Sequence, residues 1–236
     1  MASPVTLLLI GPTGSGKSSF VKRVAKLKNG DIQIAHGNKA CTNRCQEYTA
    51  MHGGVKFSII DTPGLHDEPN SNLHVLKEIA SLLTAKTGRN GQPLVTGAVY
   101  FHPITQKRFT GPSKLNLDVF KAICGPEFFR RVVFVTTMWE TIKPGKLAIF
   151  EKLSEELRND TLDLTGEGGP VYDLKEMDQD KIDFAVLQHF MAVPRKNHRS
   201  LLFEREILKP GKSNFKKTTA GVVIKKQANS GSCVIL

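Results

Sequence analysis

The most constraining feature of the chain is residues 11–18, which read GPTGSGKS and directly follow the apolar run 5–10. This is the G-x-x-x-x-G-K-[ST] pattern in the context it requires, with a strand before it and a helix after it. Phe20, Val24 and Leu27 mark the apolar face of that helix. A glycine-rich loop turns its N–H groups inward toward a phosphate, and the helix N-terminus adds the positive end of its dipole. The pattern predicts a site for a nucleoside polyphosphate.

The residue types of this loop suggest individual roles. Lys17 is expected to bind the outer phosphates and to stabilise the charge of a transferring phosphoryl group. The hydroxyl of Ser18 is expected to be a ligand for Mg²⁺. The other residues expected to contact the nucleotide from this loop are Gly11, Pro12, Thr13, Gly14, Ser15, Gly16 and Ser19.

Apolar runs of strand length alternate with helical patterns along the chain, which indicates an α/β fold. We expect a doubly wound, mostly parallel sheet with helices on both faces, in three layers. The predicted strands are 5–10, 55–60, 94–101 and 131–136, with weaker ones at 46–50 and 170–174.

A second phosphate-binding element ends the strand 57–60, where the chain continues Asp-Thr-Pro-Gly. Asp61 at a strand end can hold Mg²⁺ directly or through water, and the N–H of Gly64 can meet a γ-phosphate. Asp-Thr-Pro-Gly alone is a common turn sequence. At the end of an apolar strand, 43 residues after Ser18, it indicates a GTPase-type switch.

A polar stretch at 36–46 separates these two elements. Thr42 in this stretch is a candidate for the switch threonine that binds Mg²⁺ and contacts the γ-phosphate. The spacing alone fits a solvated loop threonine equally well.

Four segments together resemble the immunity-associated GTPase family, which is similar to septins and chloroplast import-receptor GTPases. They are GPTGSGKS, the Thr-x-x-Cys-Gln of 42–46, DTPG, and Arg108-Phe109-Thr110. Within this group the chain looks most like fungal G-domain proteins that carry Thr-Met-Trp in place of the usual guanine motif. The likeness covers about residues 4–190. It implies a Ras-like G domain over 1–194, with GTP or GDP and Mg²⁺ as ligands and a homodimer of G domains as an assembly.

The guanine motif of such GTPases, Asn-Lys-x-Asp, is altered here. Aligned on the strand that precedes the motif, Thr137 stands at the Asn position and Met138 at the Lys position. Glu140 stands at the Asp position and keeps the carboxylate. Trp139 can stack on the base or simply pack. We expect Thr137, Trp139 and Glu140 to contact the base and GTP to be the ligand, with ATP as the alternative.

Hydrolysis is expected to be slow. Leu65 stands where related GTPases carry a glutamine that orients water. His66 can take that role or can be a solvated loop residue. Arg44 or Arg108 can act in trans as an arginine finger, so a partner or second copy would raise the rate. The alternative is a scaffold that binds GTP, oligomerises and does not hydrolyse it.

Positive charge is concentrated after residue 194. Residues 1–194 carry 23 Lys and Arg against 20 Asp and Glu, whereas residues 195–236 carry 10 against 2. This distribution argues against a nucleic-acid partner for the main domain and for an acidic partner of the C-terminal segment. Residues 195–236 are predicted to be largely flexible, with a mobile linker from Pro210 onward.

The last four residues, Cys233-Val234-Ile235-Leu236, match the C-a-a-X pattern, and a final leucine favours geranylgeranyl transfer to Cys233. One lipid chain together with a polybasic segment is a combination that anchors a protein stably. We therefore expect attachment to the cytoplasmic face of an anionic membrane.

Overall fold

The computed structural model describes residues 4–27, 43–66, 69–86, 94–106, 112–165, 170–175, 179–193, 200–209 and 214–231. The fold is built on a six-stranded sheet. Its strands are β1 (Val5–Ile10), β2 (Gln46–His52), β3 (Val55–Asp61), β4 (Gly97–Pro103), β5 (Val132–Thr137) and β6 (Val171–Asp173).

The strand order is β2-β3-β1-β4-β5-β6, and every pairing except β2 with β3 is parallel. Every residue of β1, β4 and β5 is buried. Parallel strands covered on both faces require such continuous apolar runs, which is why the sequence shows them as runs rather than alternations. The predicted strand positions and the α/β fold class are confirmed.

Seven helices connect or flank the strands in the described part of the chain. They are α1 (Lys17–Val24), α2 (Pro69–Lys86), α3 (Pro112–Cys124), α4 (Leu147–Thr165), α5 (Gln179–Ala192), α6 (Leu202–Ile207) and α7 (Thr219–Gly231). Among the described residues no helix combines the length and the apolar character needed to cross a membrane.

Helices cover both faces of the sheet, because successive residues of each strand point to opposite sides. Leu8 and Ile10 of β1 belong to a core cluster with residues of α2, α3, α6 and α7. Leu7 and Leu9 belong to a second cluster with residues of α1 and α5. The result is the expected three-layer arrangement.

The carboxyl ends of the parallel strands lie along one edge of the sheet. β1 is followed there by the loop 11–16, and β3 is followed by 62–66. β5 is followed by Met138 and Trp139. In an open α/β sheet this edge is where ligands bind.

The prediction of a mobile linker from Pro210 onward is wrong for residues 214–231. Helix α7 packs against α2 and α3, and Ala220 and Ile224 are fully buried in the same cluster as the sheet. The segment has too few apolar residues to fold alone, but a narrow apolar stripe is enough for a helix that docks on an existing core.

Helix α6 is fixed to the domain by a buried carboxylate. Glu204 is 1% exposed, and its Oε1 accepts a hydrogen bond from the backbone N–H of Leu94 at 2.7 Å. Burial raises the pKa of Glu204, while backbone hydrogen bonds from Leu94 and Val95 oppose that rise. The C-terminal segment is therefore joined to the domain by polar as well as apolar contacts.

Candidate nucleotide-binding site

The loop 11–16 joins β1 to the N-terminus of helix α1. Gly16 has φ 90°, in the left-handed region that favours glycine, and begins helix α1. The side-chain hydroxyl of Ser15 is fully buried inside the loop. This geometry can bind phosphate oxygens at the positive end of the α1 dipole.

Lys17 folds back across the loop. Its Nζ donates hydrogen bonds to the carbonyl oxygens of Gly11 and Pro12, both at 3.0 Å. Burial lowers the pKa of Lys17 to about 8, against the opposing effect of the Asp61 carboxylate. An ammonium held in a buried loop by carbonyl oxygens is suited to the negative charge of a phosphate.

Ser18 and Asp61 meet directly although 43 residues separate them. The Ser18 hydroxyl donates to Asp61 Oδ2 at 2.6 Å, and Asp61 is fully buried. Thr62 fixes the strand end by donating to the carbonyl oxygen of Leu9 at 2.7 Å. Two oxygen donors side by side fit Mg²⁺, which binds few protein oxygens and keeps several waters.

The segment after Asp61 lies against the phosphate loop. Leu65 N–H donates to the Gly11 carbonyl at 3.0 Å, and Thr13 N–H donates to the Leu65 carbonyl at 3.1 Å. A Cβ atom on Gly64 would lie 2.5 Å from the Cα of Thr13, so only glycine fits this approach. Leu65 itself is 1% exposed and packs into the core.

His66 lies beside the phosphate loop. Its Nε2 is hydrogen-bonded to Thr13 Oγ1 at 3.1 Å. Its backbone is held by the buried side chain of Asn72, which accepts from the His66 N–H and donates to the His66 carbonyl, both at 2.8 Å. The two contacts keep the imidazole at the edge of the site.

The altered base motif continues from the end of β5. Thr137 Oγ1 donates to the carbonyl oxygen of Ser15 at 3.0 Å, so this threonine contacts the phosphate loop. Trp139 is 5% exposed, its Nε1 donates to Thr136 Oγ1 at 2.8 Å, and Lys175 Nζ lies 4.9 Å from the ring centroid. Glu140 is exposed. The ring of Trp139 packs inside the protein, and stacking on a base stays a prediction.

The structure also shows contacts of Asp173 that sequence reasoning did not predict. Asp173, at the end of β6, accepts hydrogen bonds from Thr136, from Ser154 and from Arg158. The only sign of Asp173 in the sequence is its position as a polar residue near the end of a short predicted strand. Nothing in the sequence marks Ser154 or Arg158, because helix α4 brings them to β6 through tertiary packing.

Some predicted residues lie outside the described part of the chain. They are Thr42, Arg108 and Cys233. Arg44 is described and is exposed.

Comparisons with known proteins agree with the fold. The model of the AIG1 family matches residues 5–198. No curated protein matches the chain. The structure of Toc33 from Arabidopsis thaliana with GDP and Mg²⁺ is 18% identical and covers 85% of this chain and 87% of its own, with a TM-score of 0.58.

Two further solved structures are similar. One belongs to the chloroplast translocon components atToc33 and psToc159, for whose GTPase activity dimerization is important. It is 16% identical and covers 84% of this chain and 85% of its own, with a TM-score of 0.56. Era with MgGDPNP and a fragment of 16S ribosomal RNA is 13% identical and covers 84% of this chain and 60% of its own, with a TM-score of 0.59. At these identities the likeness shows the fold.

Proposed function

Because the chain belongs to the AIG1 family, we propose that it binds GTP and GDP with Mg²⁺ and hydrolyses GTP slowly. The observation that carries the proposal is the 2.6 Å hydrogen bond between Ser18 and Asp61 beside Lys17. In P-loop NTPases a loop hydroxyl and a strand-end carboxylate hold Mg²⁺, and Ser18 and Asp61 would hold it here. Nucleotide and Mg²⁺ in the similar Toc33 structure support the same ligands here.

The proposed chemistry assigns a role to each residue around the phosphates. Lys17 neutralises the charge that develops on the transferring phosphoryl group, and bound phosphate raises its lowered pKa so that it stays protonated. Gly64 donates its N–H to the γ-phosphate, and Thr42 completes the Mg²⁺ site. His66 orients the attacking water, since Leu65 has no polar group and is buried. Mg²⁺ supplies charge stabilisation to the phosphate oxygens.

We propose that a second copy of the chain accelerates hydrolysis. The slow basal rate follows from the apolar residue at position 65. Arg44, in the polar stretch 36–46, is exposed. We propose that it or Arg108 enters the site of the second copy. The reported importance of dimerization for the GTPase activity of atToc33 and psToc159 supports this arrangement.

Phosphate release from Mg²⁺–GTP, measured over a range of protein concentrations, tests the proposal. The rate per protein molecule should rise with concentration. Lys17→Ala should abolish binding and release, whereas Lys56→Ala removes an exposed lysine outside the site and should change neither. Binding without release at any concentration would establish the alternative, a non-hydrolysing scaffold for GTP-dependent oligomerisation.

The altered base motif keeps an ATPase as the second candidate. Thr137 replaces the usual asparagine, and Trp139 is 5% exposed. Dissociation constants for GDP and ADP decide between the two, because tighter binding of ADP would overturn the guanine assignment. We also propose that the altered base motif corresponds to the Thr-Met-Trp motif of fungal G-domain proteins.

We also propose a geranylgeranyl anchor on Cys233 that holds the protein on the cytoplasmic face of an anionic membrane. Lysines 216, 217, 225 and 226 are exposed on α7 and the turn before it, and no Asp or Glu follows Glu206. Each basic residue near an anionic leaflet contributes about 1 kcal/mol. Cys233→Ser should shift the protein toward the soluble fraction and leave only the weaker, salt-sensitive attraction of the exposed lysines. Unchanged membrane association of that variant would refute the lipid anchor.

A further inference from the structure

Two neighbouring threonines end strand β5 and hold different parts of the site. Thr137 donates its hydroxyl hydrogen to the Ser15 carbonyl in the phosphate loop at 3.0 Å. Thr136 accepts from Trp139 Nε1 at 2.8 Å and donates to Asp173 Oδ1 at 2.7 Å. Both threonines are buried. One strand end is therefore tied to the phosphate loop by one residue and to the base motif by the next.

Asp173 is the junction of this second set of contacts. It ends β6 and accepts from Ser154 Oγ at 2.5 Å and from Arg158 Nη2 at 2.8 Å, both on helix α4. Hydrogen bonds to a carboxylate are stronger than those between neutral groups. The hydrogen bonds from Trp139 to Thr136 and from Thr136 to Asp173 thus connect the ends of β5 and β6, which lie at the same edge of the sheet. Through Asp173 they also connect both strand ends to helix α4.

The backbone of the base motif is strained where this chain of contacts holds it. Met138 has φ 64°, in the left-handed region that residues with a side chain rarely adopt. Such a conformation persists only where the surroundings determine it. The bond from Trp139 back to Thr136, three residues earlier, fixes the turn at Met138 and leaves the Glu140 carboxylate exposed at the sheet edge.

We propose that Thr136 and Asp173 are positioning residues that set the selectivity of the site for guanine, acting through Trp139 on the position of Glu140. This inference rests on the proposed function. Guanine presents two donors to a carboxylate, its N1–H and its 2-amino group. Hypoxanthine presents only the N1–H, and adenine presents an acceptor at N1. A correctly placed Glu140 therefore prefers guanine to hypoxanthine, and hypoxanthine to adenine.

Dissociation constants of GDP, IDP and ADP with Mg²⁺, measured on the full chain, test the inference. Wild type should bind GDP at least fivefold more tightly than IDP. Thr136→Val deletes the hydrogen bonds with Trp139 and with Asp173, and Trp139→Phe deletes only the first of them. Both variants keep most of the side-chain volume and should bring the GDP and IDP constants to within twofold of each other. The ADP constant should stay the same, because Lys17 still binds the phosphates and Thr137 still holds the phosphate loop.

Matched variants separate positioning from general destabilisation. Thr84→Val deletes a hydroxyl that donates only to the Ala80 carbonyl within α2, and should keep the wild-type GDP to IDP ratio. Asp173→Asn keeps an oxygen that accepts from Thr136 and should also keep the ratio, whereas Asp173→Ala should lose it. Thermal melting of each variant identifies any that fail to fold.

Each outcome has a definite meaning. An unchanged GDP to IDP ratio in Thr136→Val and Trp139→Phe would overturn the inference, as would an equal loss of affinity for all three nucleotides. Absence of a GDP preference in wild type would overturn it too. A wild-type protein that binds no guanine nucleotide would instead refute the proposed function itself.

Discussion

At the scale of single residues, the ionisation of Lys17 changes within an accessible pH range. Lys17 is 6% exposed, and burial lowers its pKa from 10.5 to about 8, while Asp61 opposes the shift. The native state therefore binds fewer protons than the unfolded state between these two values. The cost of burying the ammonium is fully present below pH 8 and decreases as the pH rises toward 10.5.

This shift predicts that the nucleotide-free protein becomes more stable in mild alkali through Lys17. Between pH 7 and pH 9.5 the lysine's contribution to the free energy of unfolding should rise by about 2 kcal/mol. Urea unfolding of wild type and Lys17→Met at both pH values measures it as the difference between the two proteins. Lys56→Met, which changes an exposed lysine, should follow wild type. Parallel pH dependence of wild type and Lys17→Met would contradict the prediction.

At the scale of elements, helix α7 depends on a few buried side chains. Ile224 is fully buried against the cluster that contains α2 and α3, while Val222 on the opposite side of the helix is 40% exposed. Removing a buried isoleucine side chain down to alanine costs about 2 kcal/mol or more. Because α7 is short and docked on the domain, this loss mainly lowers the free energy needed to detach the helix from the domain.

Proteolysis should therefore distinguish the two sides of α7. Ile224→Ala is expected to raise the rate of tryptic cleavage at Lys225 and Lys226 more than tenfold, because cleavage follows the population of the open helix. Val222→Ala should leave that rate near the wild-type value. Equal effects of the two substitutions would mean that α7 does not dock as described.

The same helix shows what the sequence could and could not predict. Strands such as β1 are continuous apolar runs, and burial on both faces of a parallel sheet produces that pattern directly. The contact of Ser18 with Asp61 was predictable, because residues 11–18 and 61–64 carry specific residue types at a spacing typical of phosphate loops. The docking of α7 was not, since Ala220 and Ile224 are too sparse to indicate burial without α2 and α3 beside them. The contacts of Asp173 with helix α4 were not predictable either, because only tertiary packing brings that helix to β6.

At the scale of the whole molecule, charge is distributed unevenly. Residues 195–236 carry 10 Lys and Arg against 2 Asp and Glu, and the first 194 residues are close to balanced. The docking of α7 fixes part of this charge on one side of the domain, where Lys225 and Lys226 are exposed. An anionic lipid surface should attract that side even without a lipid chain on the protein.

The unlipidated full chain should bind phosphatidylserine vesicles, and the binding should weaken as salt is added. Lys225→Glu with Lys226→Glu removes two attractions of about 1 kcal/mol each and adds repulsion, so vesicle affinity should fall about 30-fold or more. Lys56→Glu with Lys152→Glu makes the same change in net charge on β3 and α4, where both lysines are exposed. That control should lose much less affinity in vesicle sedimentation, because those lysines lie on other elements. Equal losses would mean that net charge alone governs attraction, and the orientation imposed by α7 would be refuted.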